Sequence, residues 1–139
     1  MGAGRRSYRS HLKTAVATSA APYGYTLTIW TSGAVTTHAL GIPTAWEALL
    51  FLAGAVGGFA LTAALAYGHP AEILTPRVPG GVRLWAGFHL ISVGLAIGAA
   101  ALVTAVLRDS VSWMIVGFVA TTVYLVAIAA QFTLADAPE

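Results

Sequence analysis

The sequence predicts an all-α integral membrane protein with four transmembrane helices in two antiparallel hairpins. Three observations carry that prediction. Of 139 residues, 58% are hydrophobic and 9% charged, against roughly 45–50% and 25% in soluble domains. The mean hydropathy is +0.79, so seven basic and five acidic side chains cannot clothe the apolar surface of a soluble domain. The charges also fall almost entirely outside four long apolar runs, 21–40, 45–67, 84–107 and 111–134. A hydrocarbon core of ~30 Å takes about 20 helical residues at 1.5 Å rise, so each run can cross once and none can cross twice. Nothing alternates with the period of a β-barrel strand. The absence of cysteine excludes disulfides, thiolate metal sites and thiol catalysis.

Residues 1–20 form a basic tail carrying Arg5, Arg6, Arg9 and Lys13. The stretch before the first run is too short and mixed for the apolar region of a signal peptide. Met1-Gly2-Ala3-Gly4-Arg5-Arg6 lacks the hydroxyl residue of a myristoylation signal. The tail suits anionic lipid headgroups, at ~1 kcal/mol per basic residue near the surface. Its patch is too short to argue for nucleic acid.

The first run is the most polar. With Thr28 as zero on a helical wheel, Tyr25, Thr31, Ser32, Thr36 and His38 fall within about 80° of it. This stripe is either the lining of a water-filled path, as in a small channel, or interhelical glue whose hydroxyls return to the i−4 carbonyl. Gly41-Ile42-Pro43-Thr44 is a tight turn, Pro43 stopping the first helix and Thr44 capping the second. That turn brings His38 and Glu47 to one end, where they are expected to pair, as a pH-sensing or cation-holding site or as a staple of the hairpin.

The second run carries Gly54-xxx-Gly58 and the third Gly94-xxx-Gly98, with Gly87, Ala101 and Ala105 on the same face as the latter pair. In lipid, small residues drive helix association by letting backbones approach. Each pair therefore serves either docking to another chain or packing of helices 2 and 3 on each other. The connection between these runs holds Pro70, Pro76, Pro79 and Gly80-Gly81, so it is not expected to be helical throughout. Arg108-Asp109-Ser110 is a short turn with Asp109 or Ser110 as the cap of the fourth helix. In that helix Thr121, Tyr124 and Gln131 share a face with Gly117, and Gln131 is expected to snorkel toward water. Residues 135–139 are a short tail. Tyr23, Tyr25, Trp46, Tyr67, Trp85 and Trp113 cluster at span ends, as an aromatic belt does.

Arg5, Arg6, Arg9, Lys13, Arg77 and Arg83 lie on one side of this topology and Arg108 on the other. The positive-inside rule then places both termini in the cytoplasm, for a multi-pass protein of the plasma membrane.

No catalytic constellation is legible and no cofactor or metal is implied. No His or carboxylate recurs at metal-ligand spacing on one helix face, and no Gly-x-Ser-x-Gly elbow occurs. His89 is the candidate for a cofactor ligand, since a four-helix membrane protein with histidines invites comparison with haem-binding electron carriers. His38 lies ~20 Å from His89 along the membrane normal, too far to share an iron. His89 is expected to bond a neighbouring hydroxyl or a partner chain. Three function classes follow: a non-catalytic accessory subunit of a membrane complex, a small homo-oligomeric channel lined by the first helix, and a haem-binding electron carrier. The lack of chemistry and the two small-residue faces favour the first, with other membrane subunits or copies of the chain as partners.

Overall fold

The computed structural model describes residues 22–67 and 86–135. These form four helices: α1 over 22–40, α2 over Ala45–Tyr67, α3 over Ala86–Val106 and α4 over Val111–Ala135. The basic tail, the Pro/Gly-rich connection and the last four residues lie outside the described residues, as does Trp85. Three helices, α2, α3 and α4, are long and apolar enough to cross a membrane. The first does not reach that level because hydroxyl residues and His38 occupy positions where the others carry aliphatic ones.

Both short turns are built by their own side chains. Gly41, at φ +94°, takes the left-handed conformation that ends α1, and its N–H bonds to the Thr37 carbonyl at 2.9 Å. Thr44 and Glu47 then form a capping box: the Glu47 N–H donates to the Thr44 hydroxyl oxygen at 3.3 Å. The Thr44 N–H donates back to the Glu47 carboxylate at 2.8 Å. At α4, the Ser112 N–H donates to the Asp109 carboxylate at 3.1 Å, and the Asp109 N–H donates to the Ser112 hydroxyl oxygen at 3.2 Å. The cap is therefore Asp109.

The last helix is the hub. α2 and α3 both pack on α4, and among the described residues they do not touch each other. α1 reaches α4 and α3 through Tyr25 and Leu27, which pack on Val93, Ala96, Tyr124 and Ile128. The buried residues follow i, i+4 rows: Gly24, Thr28, Ser32 and Thr36 on α1; Ser92, Ala96, Ala100 and Thr104 on α3; Ser112, Val116, Ala120 and Tyr124 on α4. Such rows are the ridges that helices interlock. Among the described residues the largest fully buried side chain is Val116. Around Val93, Trp113, Tyr124 and Ile128 the interior is otherwise largely glycine, alanine and small hydroxyl residues, so close backbone approach contributes much of the cohesion.

Candidate functional site

The two glycine pairs have different fates. On α2, a β-carbon at Gly54 would overlap the Met114 carbonyl group, and one at Gly58 would lie 2.7 Å from the Phe118 carbonyl oxygen. From the other side, a β-carbon at Gly117 would overlap the Phe51 carbonyl. This seam therefore lies inside the chain, and it joins α2 to α4 rather than α2 to α3. The expected contact between helices 2 and 3 is corrected accordingly: α4 lies between them.

On α3 the opposite holds. Gly94 and Gly98 are exposed, and among the described residues no atom beyond the helix's own backbone lies within 4 Å of a β-carbon at either. Leu90 and Ile91, 68% and 58% exposed, flank them, and Ala105 continues the exposed row. Gly87 is helical. The result is a shallow groove between apolar ridges, with bare backbone at its floor.

The α1 stripe turns inward. Thr28, Ser32 and Thr36 are fully buried. Thr28 and Thr36 return their hydroxyls to the Gly24 and Ser32 carbonyls, at 2.9 and 2.7 Å. Thr31 is half-buried and His38 exposed, so the stripe divides between interior and surface. Tyr25, expected in an interfacial belt, instead joins Thr121 at 3.3 Å and tilts against the Tyr124 ring at 5.8 Å. Trp113, expected in the same belt, is buried with its edge toward Phe51. Trp46 and Tyr23 remain exposed.

Glu47 does not pair with His38. Its carboxylate accepts bonds from Thr44 and, at 2.9 Å, from the Ser110 hydroxyl in the other turn. The N-terminal turn of a helix is where a carboxylate is best placed, facing unsatisfied N–H groups. The Thr44-x-x-Glu47 spacing already carried that signal. The side chain staples the two hairpins together, with Ser110 as a partner that sequence spacing could not reveal.

His89 is buried, and both ring nitrogens lack a hydrogen-bond partner. It stands beside Gly24, whose β-carbon would lie 3.3 Å from Nδ1 and 2.6 Å from the Tyr124 hydroxyl. The expected bond from His89 to a neighbouring hydroxyl is not formed. Its neighbour Ser92 donates instead to the Gln131 side chain at 2.8 Å, so Gln131 bridges α3 and α4 rather than snorkelling. Gly24 faces His89 and lies 14 residues from His38, which puts the two histidines ~21 Å apart along α1. Among the described residues no group of three His, Cys, Asp or Glu gathers where a metal ion could bind.

Comparison with protein-family models, curated proteins and solved structures finds no match for this chain.

Proposed function

We propose that the chain is a non-catalytic subunit of a larger membrane assembly, docking through the Gly94/Gly98 face of α3. One observation carries the reading. Of two glycine pairs with the same spacing, one is consumed by the chain's own α2–α4 seam and the other is left bare on the outside. An uncovered glycine pair on a membrane helix invites a second helix, because lipid tails cannot match the dispersion gained when two backbones meet.

In this reading all four helices cross the plasma membrane. α1 crosses because Thr28, Ser32 and Thr36 are turned inward, with the Thr28 and Thr36 hydroxyls bonded to its own carbonyls. Both termini lie on the cytoplasmic side, where the basic tail rests on anionic headgroups. The same inward stripe supports glue over pore: Thr28, Ser32 and Thr36 are fully buried inside the chain.

Native mass spectrometry after gentle extraction tests the proposal. A complex containing other chains supports it. A monomer that retains a chromophore would replace it with the electron-carrier reading, and a closed ring of identical copies that conducts ions with the channel reading.

A further inference from the structure

An apolar groove runs down the α1–α2 seam, with no residue of α3 in its lining. Its upper part, about 690 Å³, is open and floored by Trp113 and Phe51, with Thr37, His38 and Pro43 at the turn end. A second cleft of about 320 Å³ shares Ile29 and Phe51 with it and continues to Tyr25 and Phe59. Volumes of this size are those of ligand sites. From His38 to Tyr25 the groove follows α1 for 13 residues, ~20 Å. One leaflet's share of the ~30 Å core is ~15 Å, so the groove takes a whole acyl chain from headgroup level inward.

The turn end carries charges of both signs. Arg108 has no polar partner among the described residues. It lies two positions before Ser110, which Glu47 ties to the first turn of α2. Asp109 uses one carboxylate oxygen, Oδ1, for its cap. One cation beside two carboxylates fits a zwitterion better than an anion. A phosphate can take the guanidinium, and a primary ammonium can donate to the carboxylates.

We propose that this groove binds one zwitterionic phospholipid bearing a primary ammonium, its acyl chain along Ile29, Phe51 and Phe59 and its headgroup at the turn end. The site is separate from the α3 docking face and rests on the reading that α1 lies in the bilayer beside α2.

The full chain, reconstituted in nanodiscs containing phosphatidylethanolamine, phosphatidylglycerol and phosphatidylcholine in equal parts, is released and examined by native mass spectrometry. One retained phosphatidylethanolamine per chain is expected. A β-carbon at Gly33 meets open space and the backbone there is ordinary helix, and Gly33 lines the groove, so Gly33→Leu should fill it and abolish retention while helicity by circular dichroism is unchanged. Arg108→Gln should lower retention about fivefold, the value of one basic group at the headgroup level. Retention that survives Gly33→Leu, equal retention of the three lipids, or preference for phosphatidylglycerol overturns the proposal. So does a partner chain occupying the groove in place of lipid.

Discussion

Gly54 of α2 and Met114 of α4 meet backbone to backbone, so closely that a β-carbon on Gly54 would overlap the Met114 carbonyl group. Gly54→Ala should therefore destabilise the chain by about 1–3 kcal/mol, the range for overpacking. Gly94→Ala has free space at the same position of the same motif, and should stabilise by about 0.5–1 kcal/mol through backbone entropy. Reversible unfolding in mixed detergent micelles reads both, and the two substitutions should differ in sign.

At the turn end, the capping box makes a second prediction. Thr44→Ala removes the hydroxyl that accepts the Glu47 N–H and should cost about 1 kcal/mol. Ser110→Ala removes a bond across the hairpins and should cost about 0.5–1.5 kcal/mol. His38→Ala should cost neither, since the Glu47 carboxylate is held by Thr44 and Ser110. The same unfolding assay, run on the three variants, checks this order.

The helices were legible because their ends are marked by chemistry. Charge spacing and the Pro43, Thr44 and Asp109 signals place α2 at Ala45 and α4 at Val111, where the structure has them. The bare and the buried glycine pair were not distinguishable, since Gly54-xxx-Gly58 and Gly94-xxx-Gly98 have the same spacing and similar neighbours. What separates them is Gly117, which lies on a third helix more than fifty residues downstream of Gly58. Ser110 lies 63 residues from Glu47 and Gln131 39 from Ser92, so these partners too depend on tertiary geometry. The Glu47 role was readable from Thr44-x-x-Glu47, but proximity of His38 across the turn suggested a pairing that the capping box outcompetes. Trp113 carried no such signal, because a span-end tryptophan reads the same whether it faces headgroups or a neighbouring helix.

Gly24 and Tyr124 make a third test. A β-carbon on Gly24 would lie 2.6 Å from the Tyr124 hydroxyl, so Gly24→Ala must displace that ring and should cost about 1–3 kcal/mol. In a Tyr124→Phe background the obstructing oxygen is gone, and the cost of Gly24→Ala should fall. The double-mutant cycle should give a coupling of at least about 0.5 kcal/mol, and an additive result would mean that α1 does not sit against α4 as described.

The inward stripe of α1 gives a fourth. The chain contains no cysteine, so single cysteines report their own position. Cysteines at Thr28, Ser32 and Thr36 should resist aqueous thiol reagents applied from either side, and a cysteine at exposed His38 should react. Liposomes carrying the protein should show no ion flux. Reaction at Thr28, Ser32 and Thr36 together with flux would establish a water path along α1.

If the Gly94/Gly98 face binds another helix, Gly94→Leu separates that binding from folding. The chain is affinity-purified from its native membrane with and without the substitution, and both copurifying chains and unfolding stability are measured. With no other helix within 4 Å of a β-carbon at that position among the described residues, leucine should leave stability within about 0.5 kcal/mol while a partner chain that copurifies with the unmodified protein is lost. Unchanged copurification with unchanged stability would contradict the claim and leave α3's bare face to lipid.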